Sequence, residues 1–435
     1  MLSRVTFGTA DFADALARLR DRGETDFAKV EPQVREILEA VRKEGDHAVL
    51  RFVERFERRS PAKLCLRELD GKASLARLDP AAREALELSA DRIADFHRRE
   101  RAAMFPGAGF RFEEDGKTLG LRVRSLARVG VYAPGGKARD PSSGLMSAIP
   151  AKVAGVQDIV LATPLSGKQE EDDGVLAAAH LAGVSAILDA GGAQAIAALA
   201  FGTESVPRVD KIVGPGNAYV ACAKRLVYGA VAIDSIAGPS EILVLADETA
   251  EPANVAADLL SQAEHDEDAY ALLLTTRAEL ADAVAAELVR QLGDLPRAAI
   301  ARESLRRHGQ VLIVPDRNVM GDVANTIAPE HLSLQVDDPD DLFERIPNAG
   351  AAFIGGLTPE AAGDYIAGPS HVLPTGGAVR FGSPLGVHDF VARTSIIRYT
   401  ADALQRDASS ICVFARLEGL EAHARAVLVR TKPAR

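Results

Sequence analysis

Short apolar runs, separated by longer segments of helical composition, dominate the chain from residue 129 onward. A first series of these runs covers residues 129–132, 158–162, 185–188 and 211–213. A second series covers residues 241–246, 270–275, 311–314 and 352–354. In the first series the runs recur roughly every 25–30 residues, which is typical of βα units in a parallel sheet. The pattern predicts an α/β protein with two open parallel sheets that meet near residues 236–240.

Both ends of the chain differ from this middle part. Asp79-Pro80 is a typical helix start, and the segment that follows it has few helix breakers, so the first 130 residues are predicted to be mostly helical. The chain is accordingly divided into four parts. They are a helical N-terminal extension (1–25), a first incomplete Rossmann-like domain (26–130 plus 241–385), a second such domain (131–240) and a small C-terminal domain (386–435).

Composition and charge narrow the class of partner. The 435-residue chain has 51 Lys and Arg against 62 Asp and Glu, a net charge of -11. An acidic protein is repelled by nucleic acid and by anionic membranes, so small molecules are the expected ligands. Charged residues interrupt the first 25 positions and no apolar run is long enough to span a membrane, which predicts a cytoplasmic protein.

The three cysteines, Cys65, Cys222 and Cys412, form no CxxC pair. Their number and spacing exclude a disulfide scaffold and a thiolate zinc site. Any bound metal must therefore use nitrogen and oxygen ligands. Cys222 lies among small apolar residues shortly after a glycine-rich loop, and we interpret it as a buried structural thiol.

Three glycine-rich loops follow predicted strands, at residues 132–136, 191–194 and 214–217. Parallel sheets bind ligands at the carboxyl ends of their strands, and glycine allows a phosphate to approach the backbone. None of the loops is a GxGxxG fingerprint, and each could be a simple tight turn. Three of them in one α/β unit favour a nucleotide.

Several polar residues could carry chemistry. Gln262 and His265 share one helical face and could bind a single ion, although a solvated helix end would look the same. Glu330-His331 follows Pro329 and supplies two groups able to move protons near neutral pH, or an incidental charged pair at a strand entry.

Other polar residues could have a structural or surface role instead of a functional one. Asp364 could be a surface charge on a helix, and His371 a packed turn histidine. Glu418 and His423 are five apart on a predicted tail helix and are expected to be exposed. Ser240 lacks the G-x-S-x-G context of a hydrolase nucleophile.

Taken together and in order, these segments resemble the histidinol dehydrogenase family. The resemblance covers essentially the whole chain and rests on residues 213–217, 233–241, 261–265, 329–331, 363–365, 371–375 and 418–423. Among small departures, Ser370 stands where the family commonly has Asn. The resemblance implies a zinc-requiring, NAD-dependent enzyme that oxidises L-histidinol through L-histidinal to L-histidine, the last steps of histidine biosynthesis.

The same resemblance implies roles for individual residues. His331 would take the alcohol proton and Glu330 would activate water for the aldehyde step. The implied zinc ligands are Gln262, His265, Asp364 and His423, the last from the other subunit of a homodimer that exchanges its C-terminal tails. Implied NAD contacts are Tyr132, Gln194 and Asn217. The implied histidinol contacts are Ser240, Gln262, His265, His331, Asp364, His371, Glu418 and His423.

Three alternatives stay open at this point. A relative of the family could oxidise another small alcohol, for example a sulfonated one. Cys222 could form a thiohemiacetal in the second oxidation, as in aldehyde dehydrogenases. A zinc-binding scaffold without activity would have no use for Glu330-His331 beside loops of nucleotide type.

Overall fold

The computed structural model describes residues 2–23, 27–135 and 140–431. The chain forms two compact units. The first contains the residues up to Arg98 together with Leu126–Phe390, and the second contains Arg99–Ser125 and the residues from Val391 onward. None of the helices in the described part is long and apolar enough to cross a membrane.

The described residues contain strands and helices in the following order along the chain. The strands are β1 (Ser3–Thr6), β2 (Cys65–Leu66), β3 (Gly109–Glu114), β4 (Lys117–Ser125), β5 (Arg128–Tyr132), β6 (Asp158–Ala162), β7 (Ala186–Leu188), β8 (Lys211–Val213), β9 (Ala232–Ile233), β10 (Glu241–Ala246), β11 (Tyr270–Thr275), β12 (Gln310–Ile313), β13 (His331–Gln335), β14 (Ala351–Ile354) and β15 (Val391–Tyr399). The α-helices are α1 (Ala10–Asp21), α2 (Glu31–Glu44), α3 (Asp46–Phe52), α4 (Gly71–Arg77), α5 (Pro80–Met104), α6 (Pro141–Ala154), α7 (Gln169–Ala182), α8 (Gly192–Phe201), α9 (Ala218–Val227), α10 (Pro252–Ala263), α11 (Ala278–Leu292), α12 (Ala298–Arg307), α13 (Arg317–Ile327), α14 (Pro339–Phe343), α15 (Glu360–Tyr365), α16 (Ala401–Leu417) and α17 (Glu421–Thr431). A π-helical turn covers Val53–Glu57, and short 3-10 helices cover Ala378–Arg380 and Val387–Phe390.

The first sheet has six parallel strands in the order β1-β12-β11-β10-β13-β14. Its central strand β10 is buried along its whole length, as expected for a strand covered by helices on both faces. Counted from β10, the order is 3-2-1-4-5, with β1 added at one edge. This is the order of a doubly wound fold that lacks its sixth strand.

The second sheet has the order β2-β7-β6-β5-β8-β9 and repeats this arrangement. Counted from β5, its parallel strands again run 3-2-1-4-5, and only β2 is antiparallel to its neighbour. The prediction of an α/β protein with two incomplete Rossmann-like sheets is therefore confirmed. The tail exchange in a dimer stays a prediction.

Residues 27–66 belong with the second sheet by packing. Val34 and Ile37 of α2 and Val49 of α3 lie in the same buried cluster as Ile196 of α8 and Ile212 of β8. The sequence analysis grouped residues 26–130 with the first α/β domain. The predicted domain boundaries stay predictions, and any division of the chain has to account for this shared core.

The N-terminal part also contains strands where helix was predicted. β1 extends the first sheet by pairing with β12, and β3 and β4 form an antiparallel hairpin. Every residue of β3 after Gly109 is exposed and no residue of β4 is buried, so these strands lack the continuous apolar runs of the parallel strands. Asp115-Gly116, with φ of 49° and 78°, is the turn signal that could have predicted the hairpin.

The second unit combines this hairpin with the C-terminal residues. Strand β15 pairs antiparallel with β4 to give a three-stranded sheet, and α16 and α17 pack together through Cys412, Ala415 and Ala424. A set of large apolar side chains remains exposed on this unit, namely Phe110, Phe112, Ile397, Val413, Phe414 and Leu417.

Candidate active site

The predicted proton-transfer pair lies at the amino end of β13. The chain turns at Ala328, which has a left-handed backbone with φ of 51°, and leads through Pro329 into Glu330 and His331. Both residues of the pair are buried, each with 5% of its surface exposed. We expected functional residues at the carboxyl ends of parallel strands. In the first sheet this pair lies instead at the amino ends of the strands.

Neighbouring strand β10 holds the pair through its first residue, Glu241. The backbone N–H of Glu241 donates to Oε2 of Glu330 at 2.9 Å, and the N–H of Glu330 donates to Oε1 of Glu241 at 3.2 Å. The carbonyl oxygen of Glu241 lies 3.0 Å from Nδ1 of His331. Because a carbonyl can only accept, Nδ1 carries the proton and Nε2 is the basic nitrogen of the neutral ring. Nε2 has no hydrogen-bond partner among the described residues, so it is available to take a proton.

Burial sets the protonation of both members of the pair. Loss of hydration lowers the pKa of His331 and favours the neutral imidazole, although the charge of Asp364 opposes this shift. The same loss of hydration raises the pKa of Glu330 well above its ordinary value, and the Glu241 carboxylate adds to the effect. The site thus contains a neutral imidazole base beside a carboxyl group that keeps its proton to unusually high pH.

Helix α10 carries Gln262 into the protein interior. Val255 and Leu259 of this helix belong to the core of the first sheet, and Gln262 lies near its C-terminal end with none of its surface exposed. Neither amide atom of Gln262 has a hydrogen-bond partner in the part of the chain that the structure describes. A buried polar group without a partner costs about 1–3 kcal/mol. This arrangement is typical of a side chain that binds an ion or a ligand.

His265 and Asp364 interact beside Gln262. The backbone N–H of His265 donates to the carbonyl of Gln262 at 3.2 Å. His265 is exposed as a residue, but the protein around its ring reduces hydration there and lowers the pKa of the imidazole, with Asp364 opposing the shift. Burial raises the pKa of the half-buried Asp364, Glu360 raises it further, and His331 and His265 lower it. The carboxylate therefore interacts with both imidazoles.

A functional residue that the sequence analysis missed is Glu360, at the start of α15. It is 1% exposed, and its Oε2 accepts a hydrogen bond from the Ser261 hydroxyl at 2.8 Å. Ligand atoms of Glu360, His331 and Asp364 lie within 4.8 Å of one another and could hold a metal ion. Burial, with a contribution from Asp258, raises the pKa of Glu360 to about 7. Only its place after Pro359 is visible in sequence, and that resembles an ordinary acidic first turn of a helix.

Two further predicted contact residues, Ser240 and His371, neighbour this cluster in sequence or in space. Ser240 precedes Glu241, and its carbonyl accepts from the Tyr270 N–H at 2.9 Å. Nδ1 of His371 lies 3.2 Å from the carbonyl oxygen of Asp364, so it too carries its proton at Nδ1. Burial lowers the pKa of His371 to about 4, which keeps this ring neutral.

The predicted cofactor residues lie at the carboxyl ends of the second sheet, as expected. Tyr132 ends β5, and its hydroxyl accepts from the N–H of Gly192 at 3.0 Å. Gln194 follows β7 in the first turn of α8, and its Nε2 donates to Oε1 of Glu57 at 3.1 Å. The same Glu57 oxygen accepts from the N–H of Gly191 at 2.9 Å. The sequence analysis also missed Glu57. This residue ends the π-helical turn, and its carboxylate contacts the first residues of α8. Burial raises the pKa of Tyr132 to about 12.

Asn217 has a structural task at the next loop. Its Oδ1 accepts from the backbone N–H groups of Tyr219 at 3.1 Å and Val220 at 3.2 Å, so it caps α9. Its amide nitrogen remains free for other contacts by this geometry, and the residue is exposed. Gly136, part of the first predicted glycine-rich loop, lies outside the described residues.

The predicted tail residues belong to the second unit. Glu418 follows the end of α16, Gly419 turns the chain with φ of 74°, and His423 lies in the first turn of α17. Both Glu418 and His423 are exposed, as expected. Their part in the active site stays a prediction.

Comparisons with known proteins agree with the resemblance seen in the sequence. The chain matches the family model for histidinol dehydrogenase over residues 20–431. The histidinol dehydrogenase of Syntrophotalea carbinolica is 52% identical over 434 residues, which cover 99% of this chain and 100% of that protein. The corresponding protein of Aquifex aeolicus is 48% identical over 419 residues, 96% of each chain. The crystal structure of histidinol dehydrogenase from Elizabethkingia anophelis has a TM-score of 0.90 at 33% identity and covers 99% of this chain and 98% of that one. The chain belongs to the histidinol dehydrogenase family of oxidoreductases.

Proposed function

We propose that the protein oxidises L-histidinol through L-histidinal to L-histidine with two molecules of NAD, the final steps of histidine biosynthesis, and that it requires zinc. The observation that carries the proposal is the hydrogen bond of His331 Nδ1 to the Glu241 carbonyl, which leaves Nε2 as a base. An alcohol dehydrogenase needs such a base for the hydroxyl proton. The names of the relatives supply the substrate.

The residues on the first unit fit a zinc ion. Gln262, His265 and Asp364 offer an amide oxygen, an imidazole and a carboxylate, the nitrogen and oxygen donors that zinc accepts. The unpartnered, buried amide of Gln262 supports this assignment. We propose that His423 of the neighbouring copy completes the set. When bound, zinc would hold the amine and imidazole nitrogens of histidinol and so orient the alcohol.

The charge of the site favours a cationic substrate over an anionic one. Glu330, Glu360 and Asp364 cluster around His331, and burial raises the pKa of each, with repulsion from a neighbouring carboxylate adding to the effect: Glu241 for Glu330, Asp258 for Glu360 and Glu360 for Asp364. A divalent cation and a substrate amine would relieve that repulsion. A sulfonated alcohol would increase it, which argues against that alternative.

In the first oxidation, Nε2 of His331 takes the hydroxyl proton while the carbon gives a hydride to NAD. Once ionised, Glu330 removes a proton from water as the water oxygen adds to the aldehyde carbon, and it then returns this proton to the former aldehyde oxygen, which completes the hydrate. His331, neutral again after losing its proton to solvent, then takes a hydrate proton as the second hydride leaves to a second NAD. Each histidinol consumes one water and yields the carboxylate, two NADH and three protons.

The remaining proposals concern assembly and location. We propose a homodimer, because Val413, Phe414 and Leu417 of α16 expose large apolar side chains that a second copy would cover. Tyr132, Gln194 and Asn217 are proposed to contact NAD, and the dimer is proposed to be cytoplasmic.

The stoichiometry of the reaction tests the proposed function. The zinc-loaded enzyme should form about two NADH per histidinol consumed, because each hydride goes to one NAD. An anionic alcohol such as a hydroxyalkyl sulfonate should give no NADH under the same conditions. Failure of histidinol to reduce NAD, or one NADH per histidinol with histidinal released, would contradict the proposal.

A further inference from the structure

We propose that the buried ion pair between Arg22 and Glu241 is a positioning unit that holds the Glu330-His331 segment in its catalytic geometry, an inference that rests on the oxidation proposed above. The pair joins the end of α1 to the start of β10, 219 residues apart in sequence. Neither residue touches the substrate in this assignment. They act through the backbone that carries the proton-transfer pair.

Both partners of the ion pair are buried. Each side chain is 2% exposed, and the guanidinium engages both carboxylate oxygens, with Nη2 of Arg22 2.6 Å from Oε1 of Glu241. Removing two charges from water is costly, and apolar residues of similar size often stabilise a fold equally well. A bidentate pair does, however, fix the orientation of the groups attached to it.

Three further hydrogen bonds of the pair reach the segment that leads into the active site, while Arg22 also donates to the carbonyl of Leu19 in α1. Nη1 of Arg22 donates to the carbonyl of Ile327 at 2.7 Å, and Nη2 donates to the carbonyl of Ala328 at 3.3 Å. Oε1 of Glu241 accepts from the N–H of Glu330 at 3.2 Å. Three backbone groups within four consecutive residues are therefore held by one ion pair.

This segment is strained, which gives the ion pair a task beyond packing. Ala328 has a φ of 51°, a left-handed conformation that costs a non-glycine residue about 1–3 kcal/mol. Such a conformation persists only when its surroundings impose it. The hydrogen bonds from Arg22 to the carbonyls of Ile327 and Ala328 stabilise this turn. The turn places Glu330 and His331 at the amino end of β13.

The place of Arg22 is itself closely defined. Phe12 and Leu19 of α1 share a buried cluster with Ile327, which fixes the end of α1 against α13. A Cβ atom added to Gly23 would lie 2.2 Å from the carbonyl oxygen of Gly376. Oε1 of Glu241 also accepts from the Gly376 N–H at 3.0 Å. The residue after Arg22 thus packs closely against Gly376, whose backbone N–H is bound by Glu241.

Substitution of Arg22 tests the proposal with zinc-loaded, full-length enzyme. Arg22→Met should lower kcat for both histidinol and histidinal by about 10- to 100-fold, the effect of a small misplacement of reacting groups. The KM for histidinol and the zinc content should change less than threefold, because the proposed zinc ligands, through which the metal would hold the substrate, lie on other segments. Arg22→Lys keeps the charge without the planar fork and should recover part of the lost kcat.

Matched controls and outcomes separate this inference from the proposed function. Arg20→Met removes an exposed arginine from the same helix, with 56% of its side chain accessible, and should leave kcat unchanged. If Arg22→Met does not fold, Arg22→Lys and Glu241→Gln serve in its place and should lower kcat at constant KM. Folded variants with wild-type kcat, or equal losses in kcat and zinc content, would overturn the positioning role. A wild-type enzyme that does not oxidise histidinol would contradict the proposed function instead.

Discussion

Oε1 of Glu360 lies 3.6 Å from Nδ1 of His331, and both side chains are buried. Nδ1 donates its proton to the Glu241 carbonyl, and Glu360, which lies beyond hydrogen-bond distance of Nδ1, adds a negative charge on that side of the ring when it is ionised. When Nε2 takes a proton the ring becomes a cation, and a nearby carboxylate stabilises that cation. Glu360 is therefore placed to make His331 a stronger base during the reaction.

Replacement of Glu360 by Gln should lower kcat for both oxidations by about tenfold, because the charge that stabilises protonated His331 is lost. Steady-state assays with histidinol and with histidinal measure the effect. Glu279, an exposed acidic residue in the first turn of α11, provides the matched control, and Glu279→Gln should have no effect. Unchanged kcat in Glu360→Gln would remove this residue from the mechanism.

The same substitution should change how stability depends on pH in the metal-free protein. Folding raises the pKa of Glu360 from 4.5 to about 7, so the folded state holds this proton more tightly. Stability from this group is fully present below pH 4.5 and is lost as the pH rises through about 7. The loss amounts to about 3 kcal/mol. Urea unfolding at pH 5 and pH 8 should show a smaller decrease for Glu360→Gln than for wild type, and an equal decrease would contradict the shift.

Gln262→Leu should act in opposite directions on metal binding and on stability. The leucine removes a proposed zinc ligand, so zinc affinity should fall at least tenfold. It also removes a buried amide without partners, so the metal-free protein should gain about 1 kcal/mol. Gln335→Leu is the control, because Nε2 of Gln335 donates to Asp258 at 2.9 Å and its loss should destabilise the fold. Unchanged zinc affinity in Gln262→Leu would exclude Gln262 as a ligand.

Removal of the metal provides a simpler test of the same site. Chelation should abolish activity, and added zinc should restore it. Full activity in protein shown to be metal-free by elemental analysis would contradict the proposed zinc site.

Mixed dimers test the tail exchange. His423→Asn and His331→Asn should each be inactive. After coexpression, half of the dimers carry one subunit of each kind, and an exchanged tail restores one of their two sites, so about a quarter of wild-type activity should return. No recovery would show that each tail serves its own subunit.

Cys222→Ala should leave both oxidations nearly intact. Cys222 is fully buried in the core of the second sheet, and burial raises the pKa of its thiol, so it does not supply a thiolate nucleophile. A selective loss of histidinal oxidation in this variant would favour a thiohemiacetal over attack by water.

The two sheets could be predicted because parallel strands leave a direct signal in sequence. A strand such as β10 is buried on both faces and reads as a continuous apolar run. Strands β3 and β4 contain no buried residue and therefore leave a weaker signal, which the sequence analysis missed. The recurring apolar runs were therefore enough to predict the fold class. Predicting the β3–β4 hairpin would have required its Asp115-Gly116 turn to be recognised.

The site could be predicted only in part, since the resemblance supplied motif residues but not the groups that support them. Glu360 is hydrogen-bonded to Ser261, which is 99 positions away in sequence. Glu57 is hydrogen-bonded to Gln194, which is 137 positions away. No local pattern marks such contacts, because each of these residues resembles a surface charge until the fold brings its partner to it.

The carboxylate of Glu57 would affect how NAD is held at the proposed cofactor site. In many dinucleotide-binding folds the first amides of a helix like α8 attract the pyrophosphate. Here Glu57 and Tyr132 already engage the amides of Gly191 and Gly192. If NAD binds here as proposed, it would lack that contact with the helix amides and should dissociate readily. Rapid release of NADH would suit the proposed reaction, in which a second NAD has to bind while the aldehyde stays in the site.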